Sequence, residues 1–547
     1  MGIPTYFRYL FEEHGPELLS YSIKEIDYLF FDFNSILYNV FYKSIEDNQK
    51  EEIFLENIYK ELETICLEIN PKVEIYLFID GPVPRAKMVQ QRSRRYKSIQ
   101  LQKILKKENH FNPSNNICPG TEFMFNLQIY LKNKFENLEN KLKYHPKIFM
   151  NDSNTFGEGE HKMMPLIRNM NKNRSLCVMS PDNDLLSLLI LTGKKNIYLF
   201  RIIDTILKKM IRNDTDSRFI FISIDTIREK FYALQQKKIT SFENLDIENI
   251  LMDYNFLLSM VGNDFVQVLP YMRIKSGGMD ILLSIYTNLI NQSAEYLIDK
   301  NTFSINQEFL KKIVYELSKG ELARLKKVGS FIDFEKNKKM ENKEKEKLED
   351  KINHIYLCNP NSPLYEIYAE DFDKRIFDGS LHEIKKKYYT FFGIRNRKEK
   401  IEMIKEYLKS LKFTLLYYNQ ECPSYQWFYK YRCAPLFSDI FELLCNVNIN
   451  DIFFDGKGEI CTPFQQLLYI LPFASKNILP VPFHYLFTKY KLNYPQNFKV
   501  DALQGLKYIY SEAILPEFRY EKSMKNDIQI IESSLSEKEK ARNKILI

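Results

Sequence analysis

Glycine is scarce in this chain. Only 17 of its 547 residues are Gly and 21 are Pro, a glycine share of about 3% against the usual ~7%. With 41 Phe, 36 Tyr and 45% hydrophobic residues, there is apolar surface enough for a large core, which excludes collagen-like and broadly disordered classes. Glycines kept against such scarcity mark backbone that must turn or approach closely. Cysteine pairs are missing too. Cys66, Cys118, Cys177, Cys358, Cys422, Cys433, Cys445 and Cys461 stand apart without a C-x-x-C spacing, and the seven histidines add no ligand pattern. This excludes a zinc ribbon or a disulfide framework and fits a reducing compartment. No apolar run reaches the ~18 residues of a membrane span, and no basic stretch followed by an apolar core opens the sequence, so no membrane partner or secretory leader is expected. The excess of positive charge is small, 78 Lys and Arg against 71 Asp and Glu. Its distribution therefore matters more than its size.

Short apolar and aromatic runs that end at carboxylates are what the sequence does hold. DYLFFDF (27–33), VEIYLFID (73–80) and SLCVMSPDND (175–184) read as strands, NIYLF (196–200) as a further strand without a terminal acid, and 51–69 and 122–143 as the helices between them. The spacing predicts an α/β fold with a mostly parallel central sheet flanked by helices, and active sites of such sheets lie beyond the carboxyl ends of their strands. From about 205 to 330 the pattern is mainly helical. Residues 335–351 carry 13 charged side chains in 17, which predicts a solvated helix or linker. The expected organisation is a core over residues 1–330, a charged linker over 331–353, a second, mixed and largely helical region over 354–520, and a charged tail over 521–547 that frays at its end.

Seven acids stand at the ends of these elements. Asp32 and Asp80 close strands, Glu158 and Glu160 alternate with Gly157 and Gly159, Asp182 and Asp184 follow a strand, and Asp264 follows Gly262. Each alone could be an ordinary cap. Brought to one sheet rim, they would repel one another until cations neutralised them, and an all-oxygen donor set suits Mg²⁺, with Mn²⁺ able to substitute. Two such ions about 4 Å apart serve phosphodiester hydrolysis, which makes a nuclease the expected class.

The positive charge is concentrated nearby. Residues 84–107 contain nine basic side chains and no acid, and Lys87, Gln91, Arg94 and Arg95 fall on one helical face. Such a face suits a terminal phosphate, or else a stretch of backbone phosphates. Trp427, the single tryptophan, lies among Tyr417, Tyr418, Tyr425, Phe428, Tyr429 and Tyr431, a stripe that could be core or a base-stacking surface.

In order along the chain, MGIPTYFRYL, FFDFNSILYNV, IDGPVPRAKMVQQRSRRYKS, ICPGTEFM, FGEGEHKMM, SPDNDLL and LLSMVGNDFVQVLP, then LLYYNQECPSYQWFYKYRCAP, TPFQQLLYILPFASKNILP and NFKVD, resemble the motifs of the two conserved regions of the XRN family of 5′→3′ exoribonucleases. The resemblance covers roughly residues 1 to 515. It implies a nuclease core like that of PIN and flap-type enzymes, with the second region enclosing the active site. It implies that Asp32, Asp80, Glu158, Glu160, Asp182, Asp184 and Asp264 bind two Mg²⁺ ions, that Lys87, Gln91, Arg94 and Arg95 hold a 5′-monophosphate, and that Trp427 stacks on the terminal bases opposite Tyr38, which stands where the family has histidine. Ser180 and Pro181 replace the Gly-Leu pair usual before the Asp-x-Asp motif. The expected activity is processive Mg²⁺-dependent degradation of single-stranded RNA bearing a 5′-monophosphate, as in decay of decapped or cleaved RNA, by a monomer in the cytoplasm, the nucleus staying open, with decapping machinery as a partner to consider. A flap-type DNA nuclease and a catalytically inactive RNA-binding scaffold are the alternatives.

Overall fold

Hydrophobic residues on both faces of short runs demand cover on both sides, and the strands obtain it. The computed structural model describes residues 3–44, 51–105, 113–171, 173–203, 207–208, 217–338, 352, 355–362, 364–365 and 374–546. Seven strands, β1 (Leu19–Ser20), β2 (Tyr28–Asp32), β3 (Glu74–Phe78), β4 (Lys147–Asn151), β5 (Leu176–Met179), β6 (Ile197–Ile202) and β7 (Phe219–Ser223), form one sheet in the order β1-β7-β6-β5-β2-β3-β4. β4, β3, β2, β5 and β6 run parallel, and β7 pairs antiparallel with both β6 and β1. The sequence reading anticipated the mostly parallel sheet. It missed β4, and it missed β7 inside a stretch read as mainly helical.

Alternation along the strands sends successive side chains to opposite layers. Phe30, Phe78, Val178, Leu199 and Ile220 enter one core, while Leu29, Phe31, Leu77, Cys177, Phe200 and Phe219 enter the other. The second core is roofed by helices Phe33–Ser44, Glu51–Ile69 and Glu122–Lys132. The first runs without a break into helices Ile247–Ser259, Gln307–Lys319 and Arg397–Asn419, so the later region packs on one face of the sheet. Strand order reverses at β2, which has β3 on one side and β5 on the other. Ligand crevices of open α/β sheets form at such a switch point.

Three sequence expectations need correction. The helical pattern over 122–143 is two helices, Glu122–Lys132 and Phe135–Lys141. The boundary set at residue 331 falls inside helix Glu321–Asn337, because Ile332 and Glu335 on that helix are buried; of the rest of the linker expected over 331–353, Ile352 is buried, and 339–351 and 353 lie outside the described residues. The tail expected to fray forms helices Lys522–Ser533 and Glu537–Asn543. Ser536 and Glu539 make a reciprocal capping box at the start of the second, and Arg542 is buried. Among the described residues no helix is long and apolar enough to cross a membrane.

Candidate active site

Each proposed acid is placed by the end of an element. Asp32 closes β2, and its Oδ2 accepts a hydrogen bond from Ser180 Oγ at 2.8 Å, just beyond β5. Asp80 lies two residues past β3. Its two oxygens accept from Asn34 Nδ2 and from the Gly159 amide, both at 2.8 Å, so Asp80 is tied to the start of helix Gly159–Asn169, which carries Glu160. Glu158 precedes that helix as its cap. Gly157 before it has φ of +107°, and a Cβ on Gly159 would stand 2.9 Å from the Phe78 carbonyl oxygen, so both glycines are needed to bring this loop onto the end of β3. Asp182 caps helix Asn183–Leu191 by accepting from the Asp184 amide at 3.3 Å. The Asp184 carboxylate turns inward and accepts from the Ile3 amide at 2.8 Å.

A cavity of about 630 Å³ lies over this rim, lined by Asp32, Asp80, Glu158, Glu160 and Asp182, together with Tyr38, Lys87, Gln91, Arg94 and Arg95. Asp184 and Asp264 do not line it. Asp184 is buried beneath, while Asp264 borders an adjoining cavity of about 140 Å³ shared with Arg94, Lys97, Arg273 and Lys275. The link between them is Lys87. Its ammonium pairs with both Glu158 and Asp264, the latter at 2.7 Å, and Arg94 adds a second contact to Asp264 at 3.4 Å.

Helix Arg85–Ile104 brings the basic face to this place because its opposite side is packed. Met88 joins the core of Phe464, Leu467 and Phe518, and Arg92 donates to the Asn493 and Pro516 carbonyls. Gln91 accepts from Gln466 Nε2 at 3.2 Å, and Arg95 donates to Cys118 Sγ at 3.0 Å. The four residues read from one helical face thus share one cavity with five of the seven acids.

Burial and mutual repulsion set the charge balance. Burial pushes the Asp32 carboxyl up, and the charge of Asp80 adds to it. Glu160 and Asp184 are driven well above the usual carboxylate range by burial and then by Asp182. Burial also raises Glu158, with Lys87 acting in opposition. Asp264 goes the other way: against its burial, Lys87 and then Arg94 hold it well below the usual range. His161 is kept neutral, lowered to about 3 by burial and by Lys87. Ligand atoms of Glu158, Glu160 and His161 lie within 4.8 Å of one another, close enough for one cation.

Trp427 is not at the cavity. Its ring packs on Phe413 at 4.9 Å and Phe454 at 5.7 Å, and its Nε1 donates to Glu406 at 2.7 Å. The stripe around it is core, with Tyr417, Tyr418 and Tyr429 buried. The aromatic side chains that do line the cavity are Tyr38 and Tyr510. Sequence reasoning missed Tyr510, along with Pro4, Thr5 and Ile509 of the same wall. The only signal for it was its position just after the NFKVD stretch.

Two family descriptions match the chain: "XRN 5'-3' exonuclease N-terminus" over residues 1–202, and "Xrn1 helical domain" over 244–363 and 382–546. The chain belongs to the XRN family of 5′→3′ exonucleases. Among curated relatives, "5'-3' exoribonuclease 1" of Homo sapiens is 27% identical over 99% of this chain and 35% of its own length. The protein of that name from Saccharomyces cerevisiae is 27% identical over 99% and 44%, and "5'-3' exoribonuclease 2" of Gallus gallus 25% identical over 100% and 71%. The chain thus spans between about a third and a half of the length of the first two. A solved structure, the catalytic core of Rad2 in complex with DNA substrate, aligns at a TM-score of 0.28 and 14% identity over 58% of this chain and 81% of that one. A likeness at that level carries no weight for function.

Proposed function

We propose that the chain is a divalent-cation-dependent 5′→3′ exoribonuclease that takes single-stranded RNA by a 5′-monophosphate end and releases mononucleotides processively. The observation that supports this best is the sharing of one cavity by the acid rim and the basic helix face. The donor set fits Mg²⁺ or Mn²⁺: carboxylates of Asp32, Asp80, Glu158, Glu160 and Asp182 converge on the cavity, and the acids Glu160 and Asp184 are destabilised by burial and then by the charge of Asp182, a cost that a divalent cation relieves. When bound, a pair of such ions supplies Lewis acidity at the attacking and leaving oxygens of a phosphodiester.

The chain's own residues hold and aim. Asn34 and the Gly159 amide fix Asp80, and Ser180 fixes Asp32, so neither carboxylate is free to rotate. Arg94 and Arg95 offer planar guanidinium donors and Lys87 an ammonium to the phosphate of the chain end. With acids and cations lining one cavity, a bound end phosphate would set the next phosphodiester beside the acids. Tyr38 and Tyr510 give the same cavity sequence-tolerant surfaces for the first bases. A 3′-labelled, 5′-phosphorylated RNA tests directionality and processivity: the label should stay in full-length RNA until it emerges in a terminal fragment, and a ladder of stably shortened species would contradict the proposal.

A further inference from the structure

The last residues of the described chain reach back to both walls of the cavity. Helix Glu537–Asn543 and the residues after it lie along the loop 152–157 that leads into Glu158. Asn154 Nδ2 donates to the carbonyls of Ala541 and Lys544, each at 2.8 Å. The Leu546 amide donates to Asn154 O and the Phe156 amide to Leu546 O, both at 2.9 Å, which pairs Thr155 with Leu546 in a parallel bridge. The pinned Thr155 is itself against the site: a Cβ on Gly81 would stand 1.7 Å from its carbonyl oxygen. Gly81 N and Gly157 O are bonded at 2.9 Å, and Gly157 N and Pro82 O at 2.7 Å. Thr155 therefore lies against Gly81, the residue after Asp80, and Gly81 is in turn bonded to Gly157, the residue before Glu158.

On the other side, buried Arg542 donates from Nε to the Gly120 carbonyl at 3.0 Å, and its guanidinium lies 5.4 Å from the centre of the Phe464 ring. Gly120 ends the loop whose Ile117 and Pro119 line the cavity and whose Cys118 accepts from Arg95. Asn543 Oδ1 fixes the same corner by accepting from the Phe464 amide at 2.8 Å. One segment of eleven residues, 536–546, therefore touches the loop that carries the acids and the loop that supports the basic wall.

We propose that segment 536–546 is a clasp that sets the spacing between the acid wall and the phosphate-binding wall, with Asn154 and Arg542 as its positioning residues. A misplaced supporting contact around a metal site costs about 10- to 100-fold in metal affinity or activity. The clasp should act at the lower end of that range, because it works through the backbone of two loops. The inference builds on the nuclease reading given above for what the cavity does, but not for the contacts themselves.

The test uses the full chain, Mn²⁺ as the probe, and the variants Asn154→Ala, Arg542→Ala and Arg542→Lys, with Ile528→Ala as a stability control. Ile528 is buried on helix Lys522–Ser533, outside segment 536–546. Asn154→Ala should weaken Mn²⁺ binding by calorimetry about 10-fold and speed amide hydrogen exchange over 152–160. Arg542→Ala should speed exchange over 117–121 and weaken binding of RNA with a 5′-phosphate more than RNA with a 5′-hydroxyl, and Arg542→Lys, which keeps one donor for Gly120, should recover part of it. Unchanged Mn²⁺ binding and exchange in Asn154→Ala would overturn the clasp, as would an equal loss in Ile528→Ala. Binding and exchange need no turnover, so a parent chain that degraded no RNA would count against the nuclease reading and leave the clasp to stand or fall on these two measurements.

Discussion

Lys87→Met is the most revealing single change. The Lys87 side chain is 8% exposed, Glu158 is 8% and Asp264 4% exposed, and the one ammonium serves both. Methionine keeps the length and removes the charge. Taking one partner out of a buried ion pair costs about 3–5 kcal/mol, because a charge is left buried without compensation. Two carboxylates lose their partner here, yet Asp264 keeps Arg94 at 3.4 Å and a hydrogen bond from Gln90, so the same range of about 3–5 kcal/mol is expected at neutral pH. The sign with pH follows from the two groups. Asp264 is held below its unfolded value, so its contribution is complete above about pH 4 and fades as pH falls further. Lys87 is raised against its burial, by Asp264 first and then Glu158, so its contribution is complete below about pH 10.5. The assay is urea unfolding followed through the fluorescence of the single tryptophan, Trp427. Mn²⁺ at a fixed concentration of about 100 times the parent's dissociation constant adds about 2.7 kcal/mol to the parent, and at that same concentration the variant, which lacks the competing ammonium and should bind more tightly, should gain more. A variant within about 0.5 kcal/mol of the parent, the ordinary range for surface substitutions, or one whose deficit Mn²⁺ does not narrow, would refute the assignment of Lys87 to the acid cluster.

Further outcomes follow from the same geometry. Ser180→Ala removes the only hydroxyl bonded to Asp32 Oδ2 among the described contacts and should weaken Mn²⁺ binding by about 10- to 100-fold, measured by calorimetry. Tyr510→Ala should weaken binding of single-stranded RNA by about 1–3 kcal/mol in an Asp182→Asn background, with Tyr510→Phe close to the parent because stacking needs the ring. Trp427→Ala should instead lower stability by about 3 kcal/mol, since its ring fills space against Phe413 and Phe454. An RNA-affinity loss in Trp427→Ala larger than in Tyr510→Ala would reverse the two roles.

Much of the rim was legible because it is built from local signals. An apolar run that stops at Asp32, or at Asp80, states both the strand and the edge at which its acid emerges. A parallel sheet then brings the edges together, and the scarce glycines at 157, 159 and 262 marked where backbone must bend or come close. What failed depended on distant partners. Trp427 was assigned by resemblance to a stacking role, but its place is decided by Phe413, Phe454 and Glu406, on other elements. The pairing of Asp264 with Lys87 and Arg94, which places it at the border of the adjoining cavity, likewise joins residues far apart in sequence. The carboxyl-terminal charges suggested solvent, yet Arg542 is buried by Gly120 and Phe464, some 422 positions away in the first case. β7, Phe219–Ser223, was lost because it runs directly into helix Ile224–Lys238 and its apolar residues merge with the helical pattern.

In the proposed function one cavity reads the 5′-phosphate and cuts beside it. Matched single-stranded RNAs that differ only in a 5′-phosphate, a 5′-hydroxyl or a cap, each incubated with and without Mg²⁺, test it most directly. Mg²⁺-dependent release of mononucleotides is expected from the phosphorylated RNA, and slow or absent release from the other two. Equal rates on all three, or turnover that persists in excess chelator, would contradict it.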